Sequence, residues 1–386
     1  MRFFIYPIIY LLMSAAPPAA VADPLPEQAA RAGNIDFIME QAMAGGLIAG
    51  GVVLIGNSKG DVFERAYGRT SVASGAQPMT LETVFDLASL TKVVATTPAI
   101  LKLAEEGKLS LLDPVTRWFP EFAAKGKDDL LVLNLLTHTS GLDDFPLSSA
   151  APLQSAINGV AGQHLKGEIG SRFRYADINF ILLGEMVHRI SGQGIDRYAE
   201  SQFFSPLGMT ETRFNPDNQF ALRCSATIGA DKNLLTGHVQ DYTARQLGGV
   251  AGHAGLFGTA HDLARFCRMI LGEGLFAGHR VLSPRAVRQM TAPYFSRSGK
   301  VVRGLGWDIA SPYSSPRGRG FSEVSFGHTG YSGTSIWIDP ATDVFVVILT
   351  ARLEYKRIKE FSRLRGDLST LAACMFAVPQ ETVEIF

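Results

Sequence analysis

Ser89-Leu90-Thr91-Lys92 sets a hydroxyl three positions before an amine. Residues three apart share one face of a helix, so this spacing pairs an alkoxide precursor with a group able to take or steer its proton. That is the chemistry of an acyl-transfer nucleophile. A chain of this length holds about one such spacing by accident, so the surroundings carry the argument. Lys92 lies among Leu90, Val93, Val94, Ile100 and Leu101, with no polar face to receive it. Ser89 follows Phe85-Asp86-Leu87-Ala88 at the start of an apolar helical pattern, where the free N–H groups and the helix dipole favour developing negative charge. The alternative is that Ser89 only caps that helix and Lys92 is solvated.

Other segments carry possible partners. Tyr175-Ala176-Asp177 precedes a helical pattern from Asn179; a phenol beside a lysine can shuttle a proton, while the plainer reading makes Tyr175 a core edge and Asp177 an N-cap. Phe326-Gly327-His328-Thr329-Gly330-Tyr331-Ser332-Gly333 leads into a strand-like run, and its small residues let a substrate backbone approach a sheet edge. His328 alone reads as a structural histidine. Gly248 to Gly255 is too rich in glycine for a regular element and reads as a loop approaching something closely. It lacks the strand and helix context of a phosphate-binding turn. Gly56-Asn57-Ser58-Lys59-Gly60 matches Gly-x-Ser-x-Gly, but a strand pattern rather than a helix follows it, so Ser58 is a turn residue. His253, His261 and Asp262 do not make a persuasive metal site, since Asp262 more simply starts the next helix. These residues therefore give no expectation of a bound nucleotide or zinc.

The positioning elements follow from periodicity. Strand-like runs at 51–56 and 61–67 flank hairpin chemistry, and a second pair at 334–338 and 344–349 flanks Asp339 to Asp343. Helical patterns occupy about 34–44, 90–106, 179–190, 195–204, 260–271 and 356–374. Strands cluster at both ends of the chain. The expected fold is α+β: a mostly antiparallel sheet built from both ends and flanked by terminal helices, with a mainly helical inserted subdomain. The α/β part spans about 30–89 and 300–386 and the helical part about 90–299, with a cleft between them. The Pro- and Gly-containing stretch around 293–320 reads as surface loops.

Composition narrows the function. Lys plus Arg is 36 and Asp plus Glu is 36, without a block of one sign, which gives no footprint for nucleic acid or an anionic membrane. Residues 1–22 read as a signal peptide: Arg2, an apolar run from Phe3 to Met13, and the small-x-small site Ala20-Val21-Ala22. The run is short for a membrane span, which needs roughly 20 residues. Cleavage would leave residues 23–386, periplasmic or secreted and with no stable membrane span, the alternative being an uncleaved amino-terminal anchor. Cys224, Cys267 and Cys374 allow at most one internal disulfide, and Cys267 sits on the apolar stripe of its helix. Oligomeric state is not readable.

Taken in order over about 35–355, these segments resemble the serine β-lactamase and penicillin-binding-protein-like superfamily, in its class C β-lactamase-related branch. The resemblance rests on Ser89 and Lys92, on Tyr175 to Asp177 as a Tyr-x-Asn-type motif, and on His328 to Gly330 as a Lys-Thr-Gly-type motif. Leu136-Thr137-His138-Thr139-Ser140-Gly141-Leu142 and Gly252-His253-Ala254-Gly255-Leu256-Phe257 look equally familiar. Within the branch the chain is most similar to a DD-carboxypeptidase-type low-molecular-mass penicillin-binding protein.

The resemblance implies Ser89 as the acylated nucleophile, Lys92 and Tyr175 as a coupled acid/base pair, and the N–H groups of Ser89 and Tyr331 as an oxyanion hole. It implies Asp177, His328, Thr329 and Gly330 as substrate-binding, and no metal or organic cofactor. The implied substrate is a small cell-wall peptide, with a carboxylesterase or a weak class C-type β-lactamase as the alternative and a non-catalytic peptidoglycan-binding relative as the competing class. Two positions depart from the family pattern. Asp177 replaces an asparagine, exchanging a donor for a carboxylate that keeps Lys92 protonated and leaves Tyr175 as the proton carrier. His328 replaces a lysine, which is expected to make the local charge pH-dependent near neutrality.

Overall fold

Val52 and Leu54 turn to one face of their strand and Val53 and Ile55 to the other, and all four are fully buried. The strand is therefore covered on both sides, which is why its sequence is a continuous apolar run rather than an alternation. The computed structural model describes residues 26–123 and 125–376; the proposed signal segment lies outside them.

The main sheet has eight strands: β1 (Ile48–Gly56), β2 (Asp61–Gly68), β3 (Tyr294–Phe295), β4 (Val302–Arg303), β5 (Asp308–Ala310), β6 (Phe326–Thr329), β7 (Ser335–Asp339) and β8 (Val344–Arg352). Their spatial order is β3-β4-β5-β6-β7-β8-β1-β2, antiparallel throughout. The first and last parts of the chain meet at the β1–β8 pairing, with Val53 opposite Ile348 and Ile55 opposite Val346. The stretch read as loops from 293 is corrected here: it contributes β3, β4 and β5, strands of two or three residues, too short to show alternation.

Helices α1 (Pro26–Ala44) and α5 (Ile358–Phe376) cover one face. Ile35 and Met39 of α1 and Phe361, Leu364 and Leu368 of α5 pack on Val53, Ile55, Val346 and Ile348. Each such buried side chain contributes about 2 kcal/mol. On the other face Val52, Leu54, Val347 and Leu349 join a larger core with the helices of the middle of the chain. These include α2 (Thr97–Glu105), α3 (Ile178–Ser191) and α4 (Ala260–Leu271). Gly192 closes α3 at φ +75°. Thr259 caps α4 by accepting from Asp262 N–H, and Cys267 is buried on its inner stripe.

The helical path expected to start at Leu90 is not one α-helix. It begins as a 3₁₀ turn over Ala88–Leu90, passes through a π-helical turn over Lys92–Thr96, and becomes α-helical at Thr97, with Pro98 in its first turn. A single π turn re-aims side chains relative to the helix that follows. Here Lys92 begins it.

Candidate active site

The nucleophile turn is anchored from below and from the side. Asp86, buried, accepts from Ala88 N–H at 2.8 Å and from Gln240 N–H at 2.7 Å. Burial nevertheless pushes its carboxyl up to about 6, against those two hydrogen bonds. Ala88 is held at φ +47°, a left-handed conformation that strains any residue with a side chain. Ser332 Oγ donates to Asp86 C=O at 2.6 Å and Thr334 Oγ1 to Leu87 C=O at 3.1 Å. The turn after β6 is thereby fastened to the turn carrying Ser89. Gly330 makes the approach possible: a methyl group there would lie 2.0 Å from Thr334 Oγ1 and 2.6 Å from Leu87 O.

Ser89 Oγ accepts from Lys92 Nζ at 2.8 Å and from the Tyr175 hydroxyl at 3.1 Å. Lys92 is fully buried; its ammonium also donates to His253 C=O at 3.0 Å and lies 2.8 Å from Asp177 Oδ1, an ion pair without hydrogen-bond alignment. Burial alone drives the amine toward neutrality. The charge of Asp177, then the Tyr175 phenol, outweighs it and holds the lysine pKa above its ordinary value. The Tyr175 phenol is itself raised by burial, partly offset by Lys92, so it is neutral at rest.

Asp177 does not act as the N-cap suggested by its position. Its side chain makes no capping bond to α3. Instead the Asp144 carboxylate accepts from Asp177 N–H at 3.1 Å and Ile178 N–H at 2.9 Å, which leaves the Asp177 carboxylate to face Lys92. The glycine-dense loop approaches α3 closely: a side chain on Gly252 would lie 2.1 Å from Phe180 O and 2.8 Å from Gly184 N. That contact brings His253 C=O to Lys92, and Gly252 C=O to Thr96 Oγ1 at 2.7 Å.

Two buried histidines flank the phenol. His138, at φ +55°, stacks on Tyr175 with ring centroids 4.4 Å apart and accepts at Nδ1 from Ala176 N–H at 3.3 Å. His328 lies 6.2 Å from the Tyr175 ring, and its Nδ1 donates to Thr329 C=O at 2.9 Å. Burial, then the cations Arg303 and Lys92, hold both pKa values well below the ordinary histidine value. The expectation that His328 switches charge near neutrality is therefore corrected: it is neutral throughout that range and presents a bare Nε2.

Of the residues singled out from sequence, Ser89, Lys92, Tyr175 and Asp177 converge directly, and Gly330 abuts the nucleophile turn through Leu87. Thr329 is half-buried at the end of β6, and Tyr331 carries an exposed ring. Ser58 is far from this chemistry: its hydroxyl donates to Asp343 at 2.7 Å, tying the two hairpin turns together. Asp86, Asp144, Arg303, Arg352 and Arg365 escaped sequence reasoning, because an isolated Asp or Arg carries no spacing signal. A cavity of about 790 Å³ is lined by Phe173, Arg303, Tyr294 and Asn134 among others, and Ser89 is not part of its lining. Among the described residues two clusters bring three metal-capable atoms within 4.8 Å: Asp61, Glu64 and His261, and Asp177, Asp241 and His253. In each the histidine is paired with one of the carboxylates, His261 with Glu64 at 2.7 Å and His253 with Asp241 at 2.9 Å.

A serine between a buried lysine and a phenol, beside an antiparallel sheet, is the arrangement of a serine hydrolase of the β-lactamase and penicillin-binding-protein superfamily. Residues 35–365 match the Beta-lactamase family, and the chain belongs to it. It is a β-lactamase-family serine hydrolase. It is 32% identical over 334 residues to a protein of Salmonella agona (strain SL483) named "Putative D-alanyl-D-alanine carboxypeptidase", covering 75% of this chain and 76% of that one. Its fold is similar to EstCE1, a hydrolase with promiscuous acyltransferase activity, with a TM-score of 0.73 at 22% identity over 89% of this chain and 99% of that one. A penicillin-binding protein homologue from Caulobacter crescentus matches with a TM-score of 0.73 at 20% identity, covering 89% and 97%. A class C β-lactamase in complex with cefoxitin matches with a TM-score of 0.73 at 19% identity, covering 90% and 99%. At these identities the structures speak to the fold alone.

Proposed function

We propose that the protein is an exported DD-carboxypeptidase-type hydrolase that cleaves small cell-wall peptides through an acyl-enzyme on Ser89. The observation that carries this reading is the convergence of Lys92 Nζ and the Tyr175 hydroxyl on Ser89 Oγ, at 2.8 and 3.1 Å. Ser89 Oγ attacks the scissile carbonyl while its proton passes to the phenolic oxygen and the phenol's own proton passes to the leaving amine. With Lys92 held as a cation by Asp177, the lysine stabilises the partial negative charge on Tyr175 rather than acting as the base. The N–H groups of Ser89 and Tyr331 receive the developing oxyanion, Thr329 and Gly330 line the strand edge for the substrate backbone, and water then releases the acyl group. The relative named as a carboxypeptidase supports the peptide substrate. Export rests on the amino-terminal pattern of residues 1–22.

One observation favours a second reading, a carboxylesterase. His328 is uncharged and Asp177 is an anion, a poor receptor for a substrate carboxylate and no obstacle to a neutral ester. Mass spectrometry after incubation with a D-Ala-D-Ala peptide, penicillin and a short-chain p-nitrophenyl ester in turn decides between them. Release of D-alanine carries the first reading and ester turnover alone the second. Absence of any product or adduct, in a chain that also lacks an effect of Ser89→Ala, defeats both.

A further inference from the structure

The turn that carries Tyr331 is held from behind by two arginines. Arg365, on α5 and 7% exposed, donates through Nη2 to Gly330 C=O at 2.8 Å and to Thr334 C=O at 2.7 Å. Arg352, at the end of β8, donates to Tyr331 C=O at 3.3 Å and lies over the rings of Tyr355 and Phe361 at 4.6 and 4.3 Å. Among the described residues neither guanidinium has a carboxylate within ion-pair distance, and Arg365 Nε has no hydrogen-bond partner. Arg365 also lies over the Phe361 ring at 4.5 Å, and burying a cation against carbonyls and a ring, with no anion beside it, is expensive. A plain structural tie between α5 and the sheet could be made by a neutral donor or by apolar packing.

What the cation touches explains its presence. Gly330 C=O and Tyr331 N–H belong to one planar, conjugated peptide unit. A charged donor at its oxygen draws density away from the nitrogen and makes the N–H a stronger donor, an effect that grows in a low-dielectric surround. The same hydrogen bond fixes the plane of the peptide. We propose that Arg365 is a positioning residue that orients and polarises the Gly330–Tyr331 peptide, so that Tyr331 N–H takes up the negative charge arising on the acyl carbonyl oxygen. This rests on the acyl-enzyme reading given above, with Tyr331 N–H as one of the two oxyanion donors. Burial and the neighbouring Arg352 lower the affinity of Arg365 for its proton, to a pKa of about 9, which still leaves it a cation at neutral pH.

The test compares p-nitrophenyl acetate hydrolysis with inhibition by phenylboronic acid, whose tetrahedral adduct on Ser89 places an oxygen where the oxyanion forms. Removing a whole oxyanion donor costs about a hundredfold or more, so loss of its polarisation alone in Arg365→Met is expected to lower kcat about tenfold. KM should stay within about twofold, and boronate affinity should fall in parallel with kcat/KM. If Arg365→Met does not fold, the pair Arg365→Lys and Arg365→Gln decides: the charged variant should retain most of kcat and the neutral donor should not, at matched melting temperature. A folded Arg365→Met with unchanged kcat and boronate affinity overturns the proposal, as does a lysine variant no better than the glutamine one. A wild-type chain that neither turns over the ester nor binds the boronate overturns the acyl-enzyme reading, and this inference with it.

Discussion

Ser58 and Ser89 each sit in a tight turn close to a lysine, and of these two only Ser89 is equipped for chemistry. Ser58, beside Lys59, is exposed, and its hydroxyl donates a hydrogen bond to Asp343. Ser89, near Lys92, accepts from two donors, stands after a strained alanine, and faces a lysine with no solvent exposure. The letters around Ser58 match a nucleophile motif better known than the one around Ser89. What separates them is burial: a cation deprived of water must be matched by neighbours, and matching Lys92 brought Asp177, Tyr175 and His253 C=O to one point.

The contrast is broken most severely by exchanging hydroxyls for hydrogen. Ser89→Ala should lower ester or peptide turnover by roughly a million-fold and abolish any acyl adduct seen by mass spectrometry. Ser58→Ala should leave turnover within about twofold and cost about 1 kcal/mol in urea unfolding, the value of one exposed hydrogen bond. Next in size, Tyr175→Phe removes the proton carrier and should lower kcat by about 10²- to 10⁴-fold, measured by steady-state kinetics, whereas Lys59→Met should be silent. If Tyr175→Phe keeps wild-type kcat, the relay through the phenol is wrong.

The glycines of the two turns sharpen the comparison further. A methyl at Gly330 collides with Thr334 and Leu87, while one at Gly60 meets nothing within 4 Å. Gly330→Ala should therefore reduce kcat/KM by about a hundredfold, as expected for displaced oxyanion geometry, and Gly60→Ala by nothing measurable. The smallest effect is on stability. His328 is neutral when folded and its pKa lies below the unfolded value, so below about pH 6.5 the unfolded chain binds the proton first and stability falls as pH falls. The slope attributable to it is at most about 1.4 kcal/mol per pH unit. Asp86, raised to about 6, acts in the opposite direction at lower pH. Comparing urea unfolding of wild type and His328→Gln from pH 7 to 5.5 cancels that contribution; identical slopes would show that His328 is not held neutral.

Much of the architecture was legible because long apolar runs bounded by turn residues are strong signals: both terminal hairpins, α3 and α4 lie within a few residues of where periodicity put them. The edge strands β3 to β5 were not, since two or three residues have no period to read. The convergence at Ser89 was legible as spacing, but its electrostatics were not. Asp177 as a cap was the sensible local reading until Asp144, thirty-three positions away, took the capping role. The charge of His328 depends on Arg303, which is near it only in space. The buried arginines were invisible for the same reason: composition counts a cation as surface, and only the fold shows it aimed at a carbonyl.

The hydrogen bond between Ser58 and Asp343 joins turns 285 positions apart, and the strands on either side of it are mutual templates. During synthesis β1 therefore leaves the ribosome long before its partner β8 exists, with one edge unpaired. Pairings this remote in sequence form late and slowly. The helical middle of the chain is synthesised before the last strands of the sheet it packs on, so that sheet has both edges of β1 paired only once Val344–Arg352 has been made.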